Sequence, residues 1–326
     1  MKNFMRKSVA VLSCAAALAL AACTTEPTAV FDTTRPWHDT GDSYEKLTYA
    51  VSVYNTEAGT GKDERVTIAS GKVTFVLKEN VPTTDTLRHT ELTMDMSFTF
   101  NDDAPEADRG CTDEITSRVE WQSESLVTAT AEKTVKLQPR EGEETNLSYT
   151  IKADYLGEKK ATREMYGATS TMDIPTGQYY DNEMMFYLAR TSSIADNTSL
   201  PFKMTTLFDC FETGKYAPYT MLVRTEASKK SEDIGDWVAE FGIEAVTSDD
   251  GTVSYPIACF DSSIVISADR HGPPYYVSYS SVPFKKGDKE HLKLPVRMRY
   301  DSYLGGVITR QTEYVLTSCS FEENEE

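Results

Sequence analysis

Leu92-Thr93-Met94-Asp95-Met96-Ser97-Phe98-Thr99-Phe100 decides the fold class. Apolar residues take every even position and polar residues every odd one, so an extended chain sends the two sets to opposite sheet faces, whereas a helix would scatter both. The same period of two runs outward from this stretch. Upstream, Leu47, Tyr49, Val51 and Val53 alternate with Thr48, Ala50 and Ser52. Val73, Phe75 and Leu77 follow Ser70-Gly71, which reads as a turn. Downstream, residues 115–121, 127–137 and 147–155 repeat the pattern, separated by turn formers such as Pro139-Arg140-Glu141-Gly142. Such alternation belongs to antiparallel sheet with one wet face. Residues 43–166 therefore read as an N-terminal antiparallel β half.

A break rich in Gly, Thr and Ser covers residues 167–177, followed by Asp181-Asn182-Glu183-Met184-Met185-Phe186-Tyr187-Leu188-Ala189-Arg190. Met184, Met185 and Leu188 lie at helical spacing there, with acids first and Arg last to suit the helix dipole. The spacing predicts one short helix over 181–190, between the two β halves. Strand patterns return over 205–211, 219–226, 257–268, 275–282, 292–300 and 307–318, so residues 167–320 read as the helix plus a C-terminal antiparallel β half. Residues 228–250 form a polar excursion around Ile234, Trp237, Val238 and Phe241, and residues 321–326 are an acidic tail. No internal repeat of fixed period points to a propeller or solenoid.

The N-terminus carries an address. Lys2, Arg6 and Lys7 precede an uncharged Ala-rich run from Ser8 to Ala22 that is too short for a comfortable membrane span. It ends in Leu20-Ala21-Ala22-Cys23, which resembles a bacterial lipobox. That resemblance implies a lipoprotein signal peptide over residues 1–22 and acyl chains on Cys23, with more than one chain needed to hold a protein stably. Residues 23–42, with Pro27, Pro36 and the pair Trp37-His38, then read as a flexible tether. Thr24 is not the Asp that resembles an inner-membrane retention signal, so plasma and outer membrane both stay open. The expected location is extracytoplasmic, lipid-anchored to the bacterial cell membrane.

The chain of 326 residues has 33 Lys and Arg against 51 Asp and Glu, a net charge of −18; removing Lys2, Arg6 and Lys7 with the leader takes it to −21. Such a field repels polyanions, so nucleic acid is not an expected partner. It also keeps the body off anionic head groups, which leaves the lipid on Cys23 as the membrane contact. With 18 Tyr, 13 Phe and 3 Trp, the chain has ample apolar surface for a core.

Chemical motifs are sparse. Four cysteines remain after Cys23, namely Cys111, Cys210, Cys259 and Cys319. Their even number in an exported chain predicts at least one disulfide, with the pairing open, and their long spacings do not suit zinc. Gly59-Thr60-Gly61-Lys62 reads as a hairpin turn, because Thr56 and Asp63 stand where a phosphate loop needs Gly and Ser or Thr. Gly41-Asp42-Ser43 and the Ser43-x-x-Lys46 spacing match hydrolase motifs only as fragments, at the junction of tether and first strand. His38, His89, His271 and His291 form no metal-binding pair. The acidic runs Asn101-Asp102-Asp103 and Ser248-Asp249-Asp250-Gly251 read as turns rather than calcium loops. No cofactor, metal or catalytic residue is expected.

Glu45-Lys46-Leu47-Thr48-Tyr49, the 181–190 segment ending Tyr187-Leu188-Ala189-Arg190, Leu294-Pro295-Val296-Arg297-Met298 and Gly305-Gly306-Val307-Ile308 resemble a family of uncharacterised exported bacterial proteins. The resemblance implies paired curved β half-barrels and no known reaction. The expected protein is thus mainly β, with antiparallel curved sheets in a half-barrel or sandwich-like arrangement. It is expected to act without catalysis, as a binding or envelope-structural module with an envelope protein as partner. The alternative is a carrier of a hydrophobic or lipid-like ligand, which would show a wide cavity lined by Met94, Met96 and Phe98. A surface hydrolase ranks last.

Overall fold

The computed structural model describes residues 44–56, 65–81, 87–140, 147–191, 199–267, 274–304 and 307–322. The leader, Cys23, the tether, the 59–62 turn and most of the tail lie outside the described residues. The body is mainly β, built on one fifteen-stranded sheet.

Eight strands follow one another as hairpin neighbours: β1 (Tyr44–Thr56), β2 (Arg65–Val81), β3 (His89–Phe100), β4 (Thr112–Gln122), β5 (Thr128–Lys136), β6 (Tyr149–Asp154), β7 (Lys160–Met165) and β8 (Ala168–Asp173). The deciding stretch lies wholly in β3. There Met96 and Phe100 are buried while Asp95, Ser97 and Thr99 are exposed, the two faces that alternation demands.

The second wing is less regular. It comprises β9 (Tyr180–Asp181), α1 (Met185–Thr191), β10 (Ser199–Thr205), α2 (Leu207–Thr213), β11 (Tyr219–Asp233), β14 (Pro256–Ser267), β15 (Pro274–Ser280), β18 (Pro295–Leu304) and β19 (Val307–Ser320). Two small hairpins stand apart from the main sheet, β12 (Val246–Thr247) with β13 (Val253–Ser254), and β16 (Phe284–Lys286) with β17 (Lys289–His291). First and last strands pair antiparallel at the centre, where Val51 faces Tyr314 and Leu47 faces Cys319.

Strand order forces the sheet to roll. The order runs β8 to β1, then β19, β18, β15, β14, β11, β10 and β9, so the two edge strands are consecutive in sequence. Laid flat, fifteen strands at about 4.8 Å spacing would separate the edges by roughly 67 Å. Only six residues, 174–179, separate Asp173 from Tyr180, a reach of at most about 25 Å. The sheet therefore curls until β9 returns beside β5. The Thr128 N–H donates to the Tyr179 carbonyl at 3.1 Å, and the Asp181 N–H donates to Thr128 Oγ1 at 2.9 Å. β8 and β9 do not pair, so the barrel stays open.

Several local expectations need correction. Ser70-Gly71 is no turn but the middle of β2. A Cβ on Gly71 would lie 2.5 Å from the Phe98 Cα, so the glycine is there to let β3 approach. Residues 205–211 form no strand: after Thr205 the chain enters α2, which buries Leu207 and Cys210 and ends at Gly214 with φ 66°. The expected boundary at 166/167 falls inside the β7–β8 hairpin, in a two-residue turn where Tyr166 and Gly167 have φ of 55° and 71°. The predicted 181–190 helix forms as a 3-10 turn over Asn182–Met184 running into α1, and α2 makes a second short helix where one was expected. In the 228–250 excursion, β11 continues to Asp233 and a 3-10 helix over Asp236–Phe241 packs Trp237 and Phe241 on Phe284.

Candidate functional site

The expected disulfide is not formed: Cys111, Cys210, Cys259 and Cys319 are free thiols. Cys111 is buried in a small cluster with Val53, Ile68 and Phe100, Cys210 is buried on α2 and Cys259 on β14, and Cys319 is half-buried on β19. Burial pushes the Cys259 thiol up to about 12, and raises Cys210 and Cys319 too, so these are inert packing groups rather than nucleophiles. The acidic turns satisfy their own backbones. Asn101 Oδ1 accepts from the Asp103 N–H at 2.9 Å, and Asp250 Oδ1 accepts from the Thr252 N–H at 2.9 Å. Among the described residues, no group of three or more His, Cys, Asp or Glu side chains is arranged to hold a metal ion.

α1 occupies the concave face of the rolled sheet. Its apolar side chains fit strands of both wings: Tyr187 lies 4.8 Å from Trp121 on β4, and Phe186 meets Phe75 on β2 and Tyr275 on β15 edge to face. The helix is tied at its end by Arg190, whose two terminal nitrogens donate to the Glu45 carboxylate at 2.6 and 2.9 Å and to the Leu292 carbonyl at 3.0 Å. Both side chains are about 5 % exposed or less. Burial alone would lower the Arg190 pKa, but the Glu45 charge outweighs it and raises it. The space left between helix and sheet is about 40 Å³, lined by Leu47, Tyr49, Phe75, Leu77, Leu92 and Met298 among others. Met94, Met96 and Phe98 do not line it.

A second polar group lies where β9 meets β5. Lys133 Nζ donates to Glu183 Oε1 at 2.8 Å, and the Tyr155 hydroxyl donates to Asp181 Oδ2 at 2.6 Å. Asp181 also caps the 3-10 turn by accepting from the Glu183 N–H at 3.0 Å. Burial, reinforced by the Glu183 charge, pushes the Asp181 carboxyl up to about 6 against these hydrogen bonds. Burial would raise Glu183 as well, but Lys133 overrides it and holds its pKa below the usual value. A cavity of about 80 Å³ adjoins the cluster and reaches Thr206, whose buried Oγ1 has no hydrogen-bond partner.

The largest of these spaces, about 390 Å³, lies on the solvent face of the second wing and is polar in lining. Strand register builds it. Arg224 on β11 stands opposite Ser263 on β14, which faces Tyr276 on β15, then Arg299 on β18 and Glu313 on β19. The neighbouring row sets Asp261 against Ser278 and Ser278 against Arg297. Ser278 Oγ donates to Asp261 Oδ1 at 2.8 Å, and Arg297 sits between Glu232 at 2.7 Å and Glu313 at 3.4 Å. The Arg299 guanidinium lies over the Tyr276 ring, 4.3 Å from its centre.

None of Glu45, Lys133, Asp181 or the groove arginines was singled out as functional from the sequence. For two of them a signal was present. Glu45 leads the inward phase Leu47, Tyr49, Val51, and Lys133 interrupts the inward phase Ala129, Ala131, Val135, so each is a charge at a position where alternation calls for an apolar side chain. The groove carried no such signal, because polar residues on a wet sheet face are ordinary.

No family model and no curated protein sequence matches the chain. A solved structure of a β-barrel-like protein of a domain of unknown function, DUF1849, from Brucella abortus is similar at 12 % identity, covering 86 % of this chain and 99 % of that one with a TM-score of 0.45.

Proposed function

We propose that this chain is an exported, lipid-anchored binding module that catalyses no reaction and takes a polar ligand in the outer groove of its second wing. One observation carries the reading: the concave face, where a carrier would hold a lipid, has about 40 Å³ left beside α1, whereas the outer groove offers about 390 Å³. Ligand pockets usually span about 300–1,000 Å³, and a space of tens of cubic ångströms suits little beyond water. A hydrophobic carrier would need α1 to leave the sheet and break the buried Glu45–Arg190 pair, which makes that alternative the weaker one.

The anchor is proposed at Cys23. In labelling with a radioactive fatty acid, the native chain should take up label and sediment with membranes, and Cys23→Ala should do neither. Label retained by Cys23→Ala would overturn the anchor. The ligand reading is tested on the full acylated chain in detergent, by thermal shift with neutral oligosaccharides, inorganic phosphate and oleate. A shift with a polar compound and none with oleate is expected; saturable oleate binding alone would return the carrier reading.

A further inference from the structure

We infer that the outer groove is a saccharide site, shaped for a neutral oligosaccharide lying across the strands; this rests on the binding-module reading above. Its groups are spaced by the sheet itself. Arg224, Ser263, Tyr276, Arg299 and Glu313 stand in one register row over five adjacent strands, a span of about 19 Å at the interstrand spacing. A row of that length, open to solvent, suits an extended chain of similar units rather than one compact molecule.

Charge then selects the class of ligand. Arg224, Arg297 and Arg299 bring three positive charges to the groove, and Glu232, Asp261 and Glu313 bring three negative ones. The lining charges balance, so an anion gains little on entering and meets carboxylates as well as guanidiniums. A sugar hydroxyl both donates and accepts, so it is matched by planar donors and planar acceptors set side by side, which is what the two rows supply. Arg224 is exposed and has no partner among the described residues, so its donors remain for a ligand. Tyr276 keeps about a third of its surface exposed and can offer apolar contact to sugar C–H groups. A peptide added as an extra strand is excluded here, because β11, β14, β15, β18 and β19 are all interior strands with both edges paired.

The test uses the full acylated chain in detergent micelles, titrated by calorimetry with a panel of neutral oligosaccharides of two to six units and separately with inorganic phosphate. At least one oligosaccharide should bind saturably, and longer members should bind more tightly. Arg224→Ala and Asp261→Asn should each weaken that binding about tenfold. Arg118→Ala, on the solvent face of β4 in the other wing, should leave it unchanged. All three variants should unfold at the native temperature; Asp261→Asn keeps the acceptor for Ser278. Oligosaccharide binding that both groove variants leave intact would overturn the site. Phosphate binding that needs Arg224, without oligosaccharide binding, would overturn the saccharide class while the binding-module reading stands. If neither probe binds, both fall.

Discussion

The two wings of the sheet solve the same problem differently. From β1 to β8 the chain folds back on itself hairpin by hairpin, strand neighbours are sequence neighbours, and inward residues are almost all apolar. From β9 to β19 the order is interrupted by two helices, a 3-10 excursion and two outlying hairpins. The first wing is a wall whose pairing local turns dictate. The second carries the pieces that close the molecule: α1 in the concave face, the Glu45–Arg190 tie, and the Asp181 segment that reaches across to β5. The contrast teaches that regular alternation builds the scaffold, and that polar contacts distant in sequence decide how far it rolls and where its groove lies.

The sharpest way to break this comparison is to cut the tie between wings. Arg190→Ala removes the guanidinium that holds the buried Glu45 carboxylate, and should destabilise the protein by about 3–5 kcal/mol in urea unfolding. Replacing both residues, Glu45→Leu with Arg190→Met, should recover most of that loss. A single-variant loss of less than about 1 kcal/mol would mean that α1 does not hold the wings together.

The next effect is set by pH. Asp181, at about 6 in the fold against 3.8 for the free group, binds its proton more tightly folded than unfolded. Its stabilisation is complete below about pH 3.8 and is lost as pH rises through about 6, amounting to about 3 kcal/mol. Glu183 works in the opposite sense, because its lowered pKa stabilises the fold above the usual carboxylate range and ceases to do so in acid. Asp181→Asn isolates the first contribution: its stability relative to the native chain should rise by about 2–3 kcal/mol between pH 4 and 7. A difference that stays flat across that range would contradict the burial of this carboxylate.

Within the first wing, Gly71→Ala forces a Cβ against the β3 backbone and should cost about 1–3 kcal/mol, measured by thermal unfolding. An unchanged midpoint would show that β2 and β3 can part without loss. In the second wing, Gly214→Ala, at the left-handed end of α2, should cost only about 1 kcal/mol, since nothing lies within 4 Å of the added carbon and the penalty is backbone strain alone. A larger loss there would mean that α2 bears more of the fold than its two buried side chains suggest.

Legibility followed the same divide. The Leu92 to Phe100 stretch reads correctly because side-chain alternation is a property of the strand itself, and the helix at 181–190 reads correctly because its spacing is equally local. Gly71 misleads because its cause is the approach of Phe98, 27 residues away in the chain. The 205–211 segment misleads because Thr205, Leu207 and Phe211 suit a strand, although Leu207 and Cys210 at a spacing of three, Asp209 early and Gly214 after the end were helix signals. Among the charged residues, Glu45 and Lys133 were legible as breaks in an apolar phase, whereas Arg224, Arg297 and Arg299 looked like any wet sheet face until register aligned them.

By itself the sequence determined that the chain is mainly antiparallel β, which face of each regular strand turns inward, and where a helix interrupts the strands. These follow from side-chain period, which each segment carries without its neighbours. Only the tertiary structure decided that the first and last strands meet at the centre, that the sheet rolls around α1 without closing, that four thiols are free, and that three arginines and three carboxylates share one groove. Those outcomes depend on contacts between segments far apart in the chain, whose free energy exists only once the sheet has formed.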